Sequence, residues 1–297
     1  MRKRLEDMNL IDNYLMNCVA SYPKVGEACC RRILSVLLQR EIGKVHITAQ
    51  RIIPGANTDL RGIRMDVEVE EITENTGKET VANVYDIEPH TAKDMNFFRH
   101  NRFYQAKIDS RHMKSGDNDF NNMPNLFVVT ITNFDIFGKD RMIYTFRNRC
   151  DEVPELDYPD GLLFVYFNTK GKNGGSKSIE NMLRYIQESN HTNVVDDATR
   201  EIDKYVETVK TDPELKEDYM TLGYYIDKEK AEEELRLLIE KVIKKINKDK
   251  PVSVIADELE EDEARIAAVC SVAEKYAPDY DLEKILQELT ETAELKE

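Results

Sequence analysis

Acids concentrate on two strand-like segments, RGIRMDVEVEE (61–71) and VYDIEPH (84–90), with Asp66 and Glu68 in the first and Asp86, Glu88 and His90 in the second. Apolar and polar residues alternate in both, the period of a half-buried strand, and ENTGKET supplies a turn between them. A hairpin folded back about Gly77 sets Asp66 opposite Glu88, on the face away from Val67 and Ile87. Like charges directly opposite each other destabilise a sheet unless something neutralises them, and a hard divalent cation with oxygen ligands does so. Glu68 and Asp86 fall next along the same face. That either enlarges the acidic patch or signals a register one or two residues away, which loop length alone does not decide. Pro89 stands at the last strand position, where a missing N–H has no partner to lose, so pairing is expected to end there. His90 reads in two ways: an exposed strand-end histidine, or a neutral imidazole that accepts a water's proton and protonates below about pH 6.5.

Several elements must position these groups. GEACCRRILSVLLQRE (26–41) places Ile33, Leu34, Leu37 and Leu38 at helical spacing, with Arg31, Arg32 and Arg40 on the other side. Phe97 to Ser110 follows the hairpin as a helix, and NLFVVTIT (125–132), RMIYTF (141–146) and GLLFVYF (161–167) are short strand patterns. Strands separated by one long helical stretch give a mixed α/β core. After the Gly-rich break KGKNGGSK (170–177) the pattern is helical almost to the end, with breaks near Pro213 and Gly223.

Charge and cysteine usage narrow the function classes. The net charge of −15 lies largely at the C-terminus, where residues 251–297 hold fourteen acids against four bases. Residues 97–114 run the other way: Arg99, Arg102, Lys107, Arg111 and Lys114 stand against Asp109 alone, a local basic element in an acidic chain. Five cysteines without a CxxC pair suggest neither a disulfide framework nor a zinc ribbon, but reduced and mostly buried thiols. No apolar run is long enough for a membrane span, and the opening MRKRLEDMNL is broken by acids too early for a signal peptide. A soluble, cytoplasmic protein with no membrane partner is expected.

Taken in order, RGIRMDVEVEE, VYDIEPH, RHNRFYQAKIDS, KSGDNDFNNMPNLFVVTITNFDIFGKDRMIYTF and LLFVYFNTKG resemble the motif series of the PD-(D/E)XK nuclease family transposases, also known as the Rpn family of recombination-promoting nucleases. The resemblance covers roughly residues 25–190. It implies a restriction-endonuclease-like α/β fold, a mixed sheet flanked by helices, in a nuclease-like core over residues 1–190. An acidic, all-helical C-terminal region would follow over 191–297. It further implies metal-dependent hydrolysis of DNA phosphodiesters in recombination or transposition, with Asp66 and Glu88 holding Mg²⁺ (or Mn²⁺). The position two beyond the glutamate is usually lysine or glutamine in the family, so His90 is a departure. Either His90 carries that role in altered form, or catalysis is lost and the fold serves as a nucleic-acid-binding or protein-interaction module. Glu27 reads as the additional acid many such nucleases use, or as an acid complementing a helix dipole. Arg102 and Tyr104 match the family's RxRYYQ-like helix, which would offer Arg99 and Arg102 to DNA phosphates while Tyr104 packs or hydrogen-bonds near the site.

The C-terminal region has its own pattern. Residues 227–249 set Ala231, Leu235, Leu238, Ile239, Val242, Ile243 and Ile246 on one helical face, after Asp227 as N-cap. This face is expected to pack on the nuclease core or on a second copy, making a homo-oligomer. Next comes a helix-turn-helix-like pattern, a short helix through Ile255 and Leu259 and another from Glu263 to Tyr276. Its would-be reading helix starts among Glu260, Glu261, Asp262 and Glu263, which a DNA groove repels. A small helical packing unit is the expectation, with an acidic surface that competes with DNA for the basic helix or engages a basic partner.

Overall fold

A computed structural model of the chain describes residues 3–23, 25–53, 63–75, 77–93, 96–113, 116 and 118–294, without the side chains of 75 and 291–294. Arg61 and Gly62, at the start of the first expected strand segment, and Lys114 lie outside the described residues. Helices α1 (Asn13–Ser21) and α2 (Gly26–Leu38) come first, then strand β1 (Lys44–Ala49) and a small ribbon of β2 (Ile52–Ile53) with β3 (Ile63–Arg64). Strands β4 (Val67–Asn75) and β5 (Lys78–His90) form the expected hairpin, and α3 (Phe97–His112) follows. Next are β6 (Asn125–Thr132), β7 (Ile143–Phe146) and β8 (Leu162–Asn168), then α4 (Lys177–Gln187) and α5 (Asp197–Thr211). Helix α6 (Pro213–Ile246) leads to α7 (Val252–Leu259), α8 (Glu263–Glu274) and α9 (Leu282–Glu294).

Six strands make one mixed sheet in the order β1-β4-β5-β6-β8-β7, parallel at β5–β6 and β6–β8 and antiparallel elsewhere. Helices flank it. On one face, Asn101 and Ile108 of α3 meet Thr130, Val84, Leu126 and Val128. On the other, Tyr85 stacks on Phe127 with ring centroids 4.9 Å apart, and Arg40, just beyond α2, lies over both rings. Positions 97, 101, 104, 108 and 111 of α3 recur at alternate steps of four and three, which is one helical stripe, and this stripe faces the sheet.

Two departures from the expected strand pattern shape the site. First, β5 does not stop at Pro89. It pairs with β6 through Pro89↔Ile131 and His90↔Thr132. Only the β4 side ends early, after Val67↔Ile87, so the missing N–H breaks no ladder there. Second, the polar face of the hairpin is not solvated. Glu68 and Asp86 are both 0% exposed and Glu88 is 4% exposed, because α3 closes over them. Alternation that reads as half-buried is here buried on both faces.

The chain divides into two compact units, Met1–Lys216 and Glu217–Glu297. The first reaches past the residue-190 boundary expected from sequence, because α5 buries Ile202, Val206 and Val209 and packs on α2 and α4. In the second unit, Leu238, Ile239 and Val242 of α6 pack with Ile255, Ile266, Val269, Ala273 and Ile285. From Leu235 to Ile246, though not at the exposed Ala231, the α6 stripe is thus covered by its own neighbours α7 to α9. It does not begin at Asp227 either: α6 runs unbroken through a buried Gly223, whose intrinsic helix cost of about 1 kcal/mol the flanking turns override. No helix among the described residues is long and apolar enough to cross a membrane. No disulfide links the described cysteines, and Cys29, Cys30 and Cys270 are buried.

Candidate active site

The register Val67↔Ile87 and Glu68↔Asp86 carries Asp66 to the position opposite Glu88, where β4 leaves the sheet. Asp66 is held from three sides. Its carbonyl accepts from the Gln50 N–H at 2.8 Å, and its own N–H donates to Glu88 Oε1 at 3.1 Å. Asn13, the first residue of α1, donates from Nδ2 to Asp66 Oδ2 at 2.8 Å. Asn17, one turn further along α1, also favours the charged form of Asp66. Neither asparagine carries a sequence signal for this role, since α1 reaches the site only through the tertiary fold.

Beside this pair the acidic patch continues inward. Glu68 lies between Arg51, whose Nε is 2.7 Å from Oε1, and Arg111, whose Nη2 is 2.9 Å from Oε2 and 2.9 Å from Glu70 Oε1. The contacts to Glu68 are ionic rather than well-aligned hydrogen bonds, whereas Arg111 Nη2 donates a hydrogen bond to Glu70 Oε1. Removing one partner of a buried ion pair leaves an uncompensated charge, so Arg111→Ala is expected to cost about 3 kcal/mol of stability. Urea unfolding measures this, and Glu68→Gln in the same background should recover part of the loss.

Asp86 has no such cation. Neither of its oxygens has a hydrogen-bond donor among the described residues, and only a proton carried by Glu88 would supply one. Burial, then the charges of Glu68 and Asp66, push the Asp86 carboxyl up to about 8. Burial, then Asp86 and Asp66, hold Glu88 well above the usual carboxylate range. Asp66 is also raised by burial, against the opposing pull of Glu88, Asn17, Arg64 and His100.

The other expected residues divide between the site and its surroundings. Tyr104 belongs to it: its hydroxyl donates to the Arg64 carbonyl at 2.9 Å, its ring lies 3.9 Å from that of His100, and burial followed by Glu88 raises its pKa. His90 sits on the same face, its ring edge-on to Phe97 at 4.8 Å and 6.2 Å from His100, so it is a half-buried packed ring and not an exposed strand-end histidine. Glu27 is elsewhere. It is exposed in the first turn of α2, 3.7 Å from His46, which pairs with Glu70 four residues along β4 from Asp66. Arg99 is exposed on α3, and Arg102 opens on the far side of that helix, toward β6, β7 and β8.

No family model, no curated protein and no solved structure matches the chain. Its chemistry must therefore be read from the cluster itself. Among the described residues, no three His, Cys, Asp or Glu side chains form a ready-made cage for a metal ion. What the cluster offers is a carboxylate pair where β4 leaves the sheet, Asp66 half-buried and Glu88 buried, backed by a third carboxyl whose oxygens lack donors among the described residues.

Proposed function

We propose that the chain is a metal-dependent DNA endonuclease with a restriction-endonuclease-like core, of the PD-(D/E)XK kind its sequence blocks resemble, working in the cytoplasm in recombination or transposition. One observation carries the reading: half-buried Asp66 and buried Glu88 and Asp86 are brought together, and none of the three has an ion-pair partner among the described residues. Burying an unpaired carboxylate costs several kcal/mol, against a total stability of about 5–15 kcal/mol for a typical domain. Such a cluster persists either protonated or around a bound cation. Mg²⁺ is usually held by one or two carboxylates, waters and substrate phosphates, so a pair without a full cage suits it.

Asp66 and Glu88 would hold the ion, which when bound polarises a phosphodiester and lowers the pKa of a water. The chain's own residues do the rest. Asn13 and the Asp66–Glu88 backbone contact fix both carboxylates before substrate arrives. His90 follows Glu88 by two residues on the same face, where an imidazole accepts a proton from a water; Phe97 holds its ring. Tyr104, its hydroxyl on the Arg64 carbonyl, stands beside the carboxylates. The departure from lysine or glutamine at His90 also favours a second reading, a nuclease fold that binds DNA without cutting it.

Supercoiled plasmid incubated with Mg²⁺ or Mn²⁺ distinguishes the two. Nicked or linear product that disappears with chelator supports the nuclease; binding with no incision under either metal supports the second reading. Asn13 should behave as a positioning residue. Asn13→Ala is expected to weaken apparent metal affinity roughly ten- to a hundredfold while leaving the rate at saturating metal little changed. The metal dependence of the incision rate measures both.

A further inference from the structure

Helix α3 crosses the sheet face that bears the carboxylates, and on its other side lies a groove of about 840 Å³ against β6, β8 and β7. Tyr166, Phe164 and Phe146 line it from the sheet and Phe98 from α3, with Phe98 and Phe146 centroids 6.2 and 5.7 Å from that of Tyr166. Phe98, Phe120 and Phe146 remain 52%, 71% and 44% exposed around this one concavity. Exposed apolar surface gathered in one place, with polar groups at its rim, marks a binding site.

The charges indicate what it binds. Arg102 opens into the groove and has no ion-pair partner among the described residues. The rim acids are already engaged: Asp160 accepts from Asn148 Nδ2 at 2.6 Å and Leu162 N–H at 3.1 Å. Asp109 accepts from Gln105 at 2.6 Å, and burial raises its pKa toward the neutral form. Ring faces for stacking, side-chain amides and an unsatisfied guanidinium suit an unpaired nucleobase with its phosphate. An apolar peptide would leave Arg102 unmatched.

The groove is also in line with the carboxylates. Glu88, Thr130 and Tyr166 are successive register partners on β5, β6 and β8, which puts Tyr166 two strand spacings, roughly 10 Å, from Glu88. Asn101 spans the interval, donating to Thr130 Oγ1 at 3.0 Å and the Tyr166 hydroxyl at 3.2 Å.

We propose that this groove binds unpaired bases of a DNA strand that continues to the carboxylate pair, so that the substrate class is single-stranded or locally unpaired DNA. The strand's destination rests on the nuclease reading; its binding in the groove does not. Fluorescence anisotropy on the full chain, with chelator present so that nothing is cut, would compare labelled oligo-dT, the matching ribo-oligonucleotide and a blunt hairpin duplex. The single DNA strand is expected to bind about tenfold or more tighter than the duplex. Phe120→Ala and Phe146→Ala should each weaken it about fivefold or more, with melting curves reporting that the variants fold. Equal or tighter duplex binding, preference for the ribo-oligonucleotide, or folded variants with unchanged affinity would overturn the proposal. So would a dimer that Phe120→Ala dissociates in the absence of oligonucleotide binding, which makes the groove a self-association surface. Intact single-strand binding without plasmid incision would remove the nuclease reading and leave the groove standing; incision with equal affinities would do the reverse.

Discussion

Glu88→Gln is expected to reduce metal-dependent DNA cleavage by about a thousandfold or more, since a metal ligand contributes several kcal/mol of transition-state stabilisation and each 1.4 kcal/mol is tenfold in rate. The substitution is nearly isosteric and keeps an oxygen for the Asp66 N–H that now reaches Glu88 Oε1. It removes one of three carboxyls that repel one another, so the metal-free variant should unfold at the same temperature as wild type or higher. This pairing of effects is diagnostic. A purely structural glutamate, replaced by an amide, would lower stability and activity together. Cleavage within tenfold of wild type would remove Glu88 from the site.

In metal-free buffer, the protein should lose stability as the pH rises from about 6.5 to about 8. The sign follows from Asp86, whose folded-state carboxyl is pushed up to about 8 by burial and by Glu68 and Asp66. Above its ordinary value of 3.8 the unfolded chain has released this proton while the folded chain retains it. The folded state thus binds more protons, and stability falls until the folded pKa is passed. Glu88, likewise raised, adds to the slope. His112, held low by burial and Arg111, acts with the opposite sign, but only up to its ordinary value of 6.5, which sets the lower edge of the window. The nearby cations Arg51 and Arg111 are engaged by Glu68 and leave Asp86 unbalanced. Asp86→Asn should flatten the slope and stabilise the metal-free protein at the upper end, and Mn²⁺ should restore wild type there more than at pH 6.5. Urea unfolding at several pH values measures all three. Stability that is flat or rising across the window would contradict the buried, cation-deficient cluster.

The hairpin, α3, β6 and β8 were legible because their patterns are local. The register at the site was reached through two offsets that cancel. Near the tip the pairs are Asn75↔Lys78 and Ile72↔Val81, one residue away from a simple fold about Gly77, and the irregularity between Glu71 and Ile72 restores Glu68↔Asp86. Alternation could not show that α3 would bury the polar face, because docking of α3 depends on Asn101, Ile108 and Arg111 meeting strands far away in sequence. The same nonlocality hid Asn13 and Arg51, left Glu27 as a helix first-turn acid away from the pair, and put Arg102 on the opposite side of α3 from the carboxylates. Helix α6 was misread for a different reason: a glycine weighs heavily in a local pattern and lightly in a 34-residue helix.

Divalent-ion binding decides whether the end of this hairpin holds a metal. Mn²⁺ titrated into the full chain at slightly alkaline pH, followed by electron paramagnetic resonance, should reveal a site that Mg²⁺ displaces and that Asp66→Ala and Glu88→Gln each abolish. Mn²⁺ binding with unchanged stoichiometry and affinity in both variants, or none in the folded wild type, would contradict a metal site at the end of this hairpin.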